Sequence, residues 1–216
     1  MKRKIDYSLY LVTDRNLMVA SGIEECVEQA VRGGCTVVQL REKTASSREF
    51  YETALRVRKI TADLGVPLII NDRADIALAV NADGAHVGQD DLPPDAARRV
   101  MGKDAVIGVS VNNLTEALAA ASMGADYLGV GAMFATGTKK DADIAGMDEL
   151  RRIRAEIKIP IVVIGGINKD TVPLFEGTGI DGIAVVSAIV SQKDPCAAAR
   201  GLKTLFRSTM GKNESV

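Results

Sequence analysis

Two cations and an amide stand together in Gln39-Leu40-Arg41-Glu42-Lys43. An extended backbone sends alternate side chains to opposite faces, so Gln39, Arg41 and Lys43 share one side and Leu40 and Glu42 the other. Arg and Lys side by side suit a phosphate or diphosphate, the guanidinium as a fork of donors and the ammonium as a compact charge. A solvated ion pair with Glu42 is the commoner use of such charges and contributes little. Two carboxylates follow, in Asn71-Asp72 and in His86-Val87-Gly88-Gln89-Asp90-Asp91. Mg²⁺ typically takes one or two carboxylates and completes its shell with water and substrate phosphates. Taken singly, Asp72 or Asp91 would serve to cap the next helix. Their company with Arg41 and Lys43 favours a metal.

Four later features add polar groups or close backbone approach. Ser110 offers a hydroxyl, and the run 131–140 gathers Gly137, Thr136, Thr138 and Lys139. Such a loop suits wrapping a phosphate or closing over a ligand, and equally a surface turn. Gly165-Gly166-Ile167-Asn168 and Val185-Val186-Ser187-Ala188 supply backbone N–H groups, with Gly allowing close approach. His86 is the only histidine. A packed or hydrogen-bonded structural role is at least as well supported as catalysis, and no proton transfer is assigned to it.

The elements that position these residues are legible from pattern. Short apolar, β-rich runs occur at 8–13, 35–40, 67–70, 84–87, 105–109, 127–130, 160–164 and 182–186. Most are nearly continuous, as expected of parallel strands covered on both faces. Helical stripes lie between them: Ile23, Cys26, Val27, Ala30 and Val31; Phe50, Ala54, Val57 and Leu64; Leu114, Ala117, Leu118 and Ala121. Gly33-Gly34, Gly65, Gly102, Gly124 and Gly177 sit where left-handed helix caps are wanted. The segments after Asp72 and near Asp95 predict the shortest helices. Eight strand–helix units at roughly 26 residues each predict an α/β fold, a single (β/α)₈ TIM barrel with eight parallel strands over 1–207. The polar stretch 208–216 is expected to fray. A doubly wound open sheet is the rival, weakened because Thr13-Asp14-Arg15, not a Gly-x-Gly-x-x-Gly, follows the first strand. In a barrel, chemistry gathers at the C-terminal strand ends, and every polar motif above falls there.

Composition sets the outer bounds. The 216 residues are 47% hydrophobic and 25% charged with a net charge of −1, so no overall field draws nucleic acid or an anionic membrane. The cluster Lys2-Arg3-Lys4 is too short to change that. The longest apolar run near the start, Leu9-Tyr10-Leu11-Val12, is too short for a signal or a membrane span. Cys26, Cys35 and Cys196 form no C-x-x-C pair, which argues against a zinc site or disulfides and fits a reducing, cytoplasmic location.

Taken in order, these motifs resemble the thiamine phosphate synthase family. The likeness runs from Leu9-Tyr10-Leu11-Val12-Thr13-Asp14 to Val185-Val186-Ser187-Ala188-Ile189, and rests on five motifs at successive strand ends. These are Gln39-Leu40-Arg41-Glu42-Lys43, Asn71-Asp72, His86-Val87-Gly88-Gln89-Asp90-Asp91, Phe134-x-Thr-x-Thr-Lys139 and Gly165-Gly166-Ile167. The resemblance implies a transferase that joins a pyrimidine diphosphate to a thiazole phosphate and releases pyrophosphate. It implies that the 39–43 segment (Gln39, Leu40, Arg41, Glu42, Lys43), Asn71, Ser110 and Lys139 bind the diphosphate, with Arg41, Lys43, Ser110 and Lys139 catalytic. It implies one Mg²⁺ on Asp72 and Asp91, and thiazole phosphate on Thr136, Gly137, Thr138, Gly166, Val186 and Ser187. The partners are these small molecules, with homo-oligomerisation left open. Ala135 stands where the family usually has Pro, and Asn112 where His is common; neither removes a charge the diphosphate needs. The rivals are a thiazole tautomerase relative, which would not need the Arg41, Lys43, Asp72, Asp91 and Lys139 set, a non-catalytic barrel that binds a phosphorylated ligand, and a sugar-phosphate isomerase or epimerase barrel, which would need paired acid and base groups.

Overall fold

The computed structural model describes residues 4–135 and 145–211. Its eight strands are β1 (Leu9–Val12), β2 (Val37–Leu40), β3 (Leu68–Asn71), β4 (Gly84–Val87), β5 (Val106–Val111), β6 (Tyr127–Val130), β7 (Ile161–Val163) and β8 (Gly182–Val185). Each pairs in parallel with its neighbours in sequence, and β8 closes onto β1. The expected (β/α)₈ barrel is therefore the observed fold. The helices are α1 (Ile23–Arg32), α2 (Ser47–Asp63), α3 (Ala74–Ala79), α4 (Pro94–Met101), α5 (Leu114–Ser122), α6 (Gly146–Glu156), α7 (Ser187–Val190) and α8 (Pro195–Gly211).

Period-2 alternation divides the strand residues between two cores. Leu9, Leu11, Val38, Leu40, Leu68, Ile70 and their counterparts face outward into the layer beneath the helices. There they meet Cys26, Val27, Phe50, Val57, Leu150 and Ile153 from the helices' apolar stripes. Each large apolar side chain fully withdrawn from water contributes about 1.5–3 kcal/mol. Tyr10, Val12, Val37, Ile69, Val106, Tyr127, Val162 and Ala184 face inward and fill the barrel. Small residues make room for its aromatic rings. A Cβ at Gly108 would lie 2.1 Å from Tyr127 Cζ, so only Gly there lets β5 pass beside that ring.

Helix ends follow the expected punctuation: Gly34, Gly65, Gly102, Gly124 and Gly177 all have positive φ. The start of α2 is locked by a capping box between Ser46 and Glu49. Two local expectations change. After β7 the chain makes only a 3-10 turn, Val172–Phe175. Pro173 is tolerated in its first turn, but Gly177 and Gly179 with positive φ interrupt the chain before an α-helix can build. Position 208 does not begin a frayed tail either. Helix α8 continues to Gly211 because Phe206 and Thr209 extend its buried stripe against the barrel.

The base of the barrel carries a repeated device. Asp83, Asp126 and Asp181 each precede an even-numbered strand. Each accepts a hydrogen bond from the backbone at the start of the odd-numbered strand before it: Leu68, Ile107 and Ile161, all at 2.8–2.9 Å. The same carboxylates pair with Arg58, Arg98 and Arg154 from α2, α4 and α6. Thr36 does the equivalent for β1, its hydroxyl exchanging hydrogen bonds with the Leu9 backbone. A backbone donor with no strand neighbour at that level is thereby satisfied.

Candidate active site

The C-terminal strand ends bring the first group of sequence-selected residues together. Arg41, just past β2, is anchored twice by the end of β1. Its backbone N–H donates to the buried Thr13 hydroxyl at 2.9 Å, and its guanidinium donates to Asp14 at 3.1 Å. Lys43 lies further out, its ammonium half exposed and 2.6 Å from Asp72. Asp72 directly follows β3 with φ of 63°, a left-handed conformation that costs a non-glycine residue about 1 kcal/mol or more. Its N–H donates to the His86 carbonyl at 2.8 Å, so the pairing of β3 with β4 holds the turn. Asp91 arrives from beyond β4, its carboxylate accepting from the Gly88 N–H at 2.8 Å.

The carboxyls of Asp72 and Asp91 stand close enough for each to feel the other's charge. Burial opposes ionisation of Asp72, yet the hydrogen bond and charge of Lys43, with help from the neighbouring Asp91, outweigh it and hold that carboxyl below the usual carboxylate range. Asp91 is driven the other way: burial and the Asp72 charge raise it against the help of the Gly88 N–H. Two neighbouring carboxyls served by the single ammonium of Lys43 make an oxygen pair with unmet demand for positive charge. That donor set fits a hard divalent cation. Among the described residues no cluster of three or more acidic, His or Cys side chains offers a complete protein cage. Such a cation would therefore draw the rest of its shell from water and ligand, as Mg²⁺ characteristically does.

Deeper in the mouth lie Gln39 and Asn71, both buried, and Ser110, half-buried on β5. The Gln39 amide donates to the Tyr10 hydroxyl at 2.9 Å, and the Ser110 hydroxyl lies 2.9 Å from His86 Nε2. Two members of the 39–43 segment face elsewhere. Leu40 is buried in the layer between sheet and helices, so only its backbone is available to a ligand. Glu42 turns to Arg15, which donates to it from Nε at 3.3 Å and Nη2 at 2.8 Å.

Gly166 has φ of 70°, and a Cβ there would lie 2.7 Å from Phe134 Cβ. The Gly165-Gly166 turn thus lets the segment after β6 lie against it, with the Phe134 N–H donating to the Gly165 carbonyl at 3.2 Å. Val186 caps the short helix α7, and Ser187, exposed, is its first residue. Thr136, Gly137, Thr138 and Lys139 lie outside the described residues. Asn112 is engaged at the start of α5, its N–H donating to Glu116 at 2.7 Å.

Thr13 and Asp14, which fix Arg41, received no role from the sequence, although they end a strand as every other motif does. Tyr10 and Tyr127 left no such signal. Inside an apolar run, nothing local says that a tyrosine faces the barrel interior and meets another.

The sequence matches one family model, thiamine monophosphate synthase, over residues 9–189. It is 61% identical to the thiamine-phosphate synthase of Clostridium beijerinckii over 206 residues, covering 95% of this chain and 99% of the relative. It is 58% identical to that of Clostridium botulinum over 206 residues, covering 95% and 97%. The fold superposes on thiamine phosphate pyrophosphorylase from Pyrococcus furiosus with a TM-score of 0.88 and 40% identity, covering 95% of this chain and 98% of that one. With motif order, barrel and strand-end chemistry all in agreement, the chain belongs to the thiamine monophosphate synthase family.

Proposed function

We infer that this barrel is a thiamine-forming transferase. It joins the methylene carbon of an aminopyrimidine diphosphate to the nitrogen of a thiazole phosphate, giving thiamine phosphate and pyrophosphate. The observation that carries this reading is the group of Arg41, Lys43, Asp72 and Asp91 at the ends of β2, β3 and β4, a charge set matched to a diphosphate with a divalent cation.

An aminopyrimidine donates electrons to its methylene carbon, so the C–O bond to the diphosphate breaks by ionisation ahead of full attack by the thiazole nitrogen. The protein's work is to stabilise the departing charge and to hold the two rings in line. Arg41 and Lys43 neutralise the diphosphate, with Lys139 completing the set. Asp72 and Asp91 would hold Mg²⁺, which when bound would help neutralise the charge of the diphosphate. Ser110 hydrogen-bonds to the pyrimidine diphosphate, and Gln39 and Asn71 orient it. Thr136, Gly137, Thr138, Gly166, Val186 and Ser187 anchor the thiazole phosphate away from the reacting nitrogen, where binding energy fixes position. Among the described residues no helix is long and apolar enough to cross a membrane. A cytoplasmic enzyme of small-molecule partners is the corresponding proposal.

The direct test incubates the protein with both substrates and Mg²⁺ and follows pyrophosphate and thiamine phosphate. Equimolar formation of both is expected. Binding of both substrates with no product would overturn the assignment.

A further inference from the structure

A chain of buried hydrogen bonds crosses the barrel beneath the mouth. It runs from the Gln39 amide to the Tyr10 hydroxyl at 2.9 Å, on to the Tyr127 hydroxyl at 2.7 Å, to His86 Nδ1 at 2.9 Å, and from His86 Nε2 to the Ser110 hydroxyl at 2.9 Å. Five residues from five strands take part: β2, β1, β6, β4 and β5. Both ends are residues assigned above to the pyrimidine diphosphate. The interior side chains reach the ligand-facing Gln39 and Ser110 through this chain.

The direction of the chain follows from counting protons. Gln39 meets Tyr10 through its Nε2 group, which has protons to give and no lone pair to offer. The Tyr10 oxygen is therefore an acceptor at that contact, and its own proton goes to Tyr127. The Tyr127 proton then goes to His86 Nδ1, which must be the unprotonated ring nitrogen. A neutral imidazole so fixed carries its proton on Nε2 and donates it to the Ser110 oxygen. In this order each of the four contacts holds one proton. Reversing the chain would set the Tyr10 hydroxyl proton against the Gln39 amide protons. An imidazolium would likewise leave Tyr10 with two donors and no acceptor. Burial supports the arrangement by keeping both phenols protonated: withdrawal from water drives Tyr10 and Tyr127 far above the ordinary phenol range.

We propose that Tyr10 and Tyr127 are positioning residues that hold His86 as its Nε2–H tautomer and so aim the Ser110 hydroxyl proton into the mouth as a donor. Because the Ser110 oxygen is occupied as an acceptor, its proton is directed toward the ligand. At the other end, Gln39 spends an amide proton inside the barrel and presents its carbonyl oxygen as an acceptor. The chain thus gives the mouth two polar groups of fixed and opposite sense, a donor on β5 and an acceptor on β2. A ligand with an acceptor near Ser110 and an N–H donor near Gln39 is favoured, as an aminopyrimidine diphosphate provides. One that has a carbonyl in place of the amine meets an acceptor facing an acceptor. This inference rests on the assignment of the mouth to that substrate.

His86 is the sole histidine, so ¹⁵N-histidine labelling reports one ring. The wild-type spectrum near pH 7 is expected to show a neutral ring with the proton on Nε2 and a bare Nδ1. A proton on Nδ1, or on both nitrogens, overturns the proposed polarity, and it does so whether or not the protein makes thiamine phosphate. Tyr127→Phe removes the donor to Nδ1. In the folded variant the tautomer preference should weaken, and kcat should fall about tenfold or more with KM for the thiazole phosphate unchanged, as loss of one aligned donor implies. Thermal unfolding identifies the folded variant, and Tyr10→Phe provides a second one whose Tyr127 still donates to His86. Tyr10→Phe should therefore keep the Nε2–H tautomer while weakening pyrimidine diphosphate binding through Gln39. A folded Tyr127→Phe enzyme with unchanged tautomer and unchanged kcat overturns the positioning role. Loss of stability in that variant with kcat intact overturns it equally, since packing alone would then explain the tyrosine.

Discussion

The two ends of this barrel use the same residue types to opposite effect. At the base, Asp83, Asp126 and Asp181 each have an Arg and a strand N–H on the same carboxylate oxygen. Their demand for positive charge is met within the fold. At the mouth, Asp72 and Asp91 stand beside each other with only a half-exposed Lys43 for their charge, and Arg41 leans on Asp14. Their demand is met in part. Charges whose partners are all internal stabilise a fold and bind nothing. Charges arranged in excess of their partners cost stability and wait for a ligand. The lesson is that Arg–Asp proximity says little about function. What decides is whether a like charge stands beside the pair, as Asp91 stands beside Asp72 and Lys43.

The sharpest break of this comparison is Arg41→Ala. It should lower kcat for pyrophosphate release by about 10²–10³, equivalent to roughly 3–4 kcal/mol of transition-state stabilisation, with unfolding temperature nearly unchanged. Near-normal turnover by the folded variant would remove Arg41 from the diphosphate site. Asp126→Ala is the mirror experiment. It strips an acceptor from the Ile107 N–H and from Arg98, costing about 2 kcal/mol, or about 4–8 °C in unfolding temperature for a chain of this size. Steady-state kcat at low temperature should stay within about twofold, as mutations far from the chemistry allow. A large activity loss without destabilisation would erase the distinction between base and mouth.

Asp72→Asn should raise the Mg²⁺ concentration for half-maximal activity by about tenfold, the scale of one lost charged ligand. An unchanged Mg²⁺ titration would discard Asp72 as a ligand. The smallest effect has the most telling sign. Asp91→Asn should raise the unfolding temperature of the metal-free protein by about 1–2 °C near pH 7 while lowering activity. The sign follows from linkage. The folded state raises the Asp91 pKa, so its contribution to stability is present at low pH and lost as pH rises through the folded value. At neutral pH the ionised group is a cost that the Asn variant avoids. On acidification through the carboxylate range the wild type catches up, and a gap that instead widened would contradict the account of two neighbouring like charges.

Much of this was legible before folding. Continuous apolar runs of four to six residues, spaced by helical stripes, dictate strands covered on both faces, and Gly at each helix end marks where the chain turns back. The alternation within Gln39-Leu40-Arg41-Glu42-Lys43 already separates the mouth-facing residues from Leu40 and Glu42, because side-chain direction in a strand is a local property. Strand-end position picked out Arg41 and Ser110, and the company of Arg41 and Lys43 turned Asp72 and Asp91 from cap candidates into metal candidates. The helix missing after β7 was less legible, since Pro173 alone is compatible with a first helical turn and its brevity depends on the two glycines that follow.

Barrel closure decided the rest. Tyr10 and Tyr127 are separated by 117 positions and meet at 2.7 Å only because β8 returns to β1 and eight strands enclose one interior. The role of His86 was open in the sequence and is settled as a hydrogen-bonded member of that interior, since its two ring nitrogens find partners on β6 and β5. Likewise Asp72 and Asp91 are ordinary cap candidates along the chain and become neighbouring charges only when β3 and β4 lie side by side. Local sequence fixes which face a residue takes. Which residue waits on that face from across the barrel is set by register and closure, and those exist only in the folded chain.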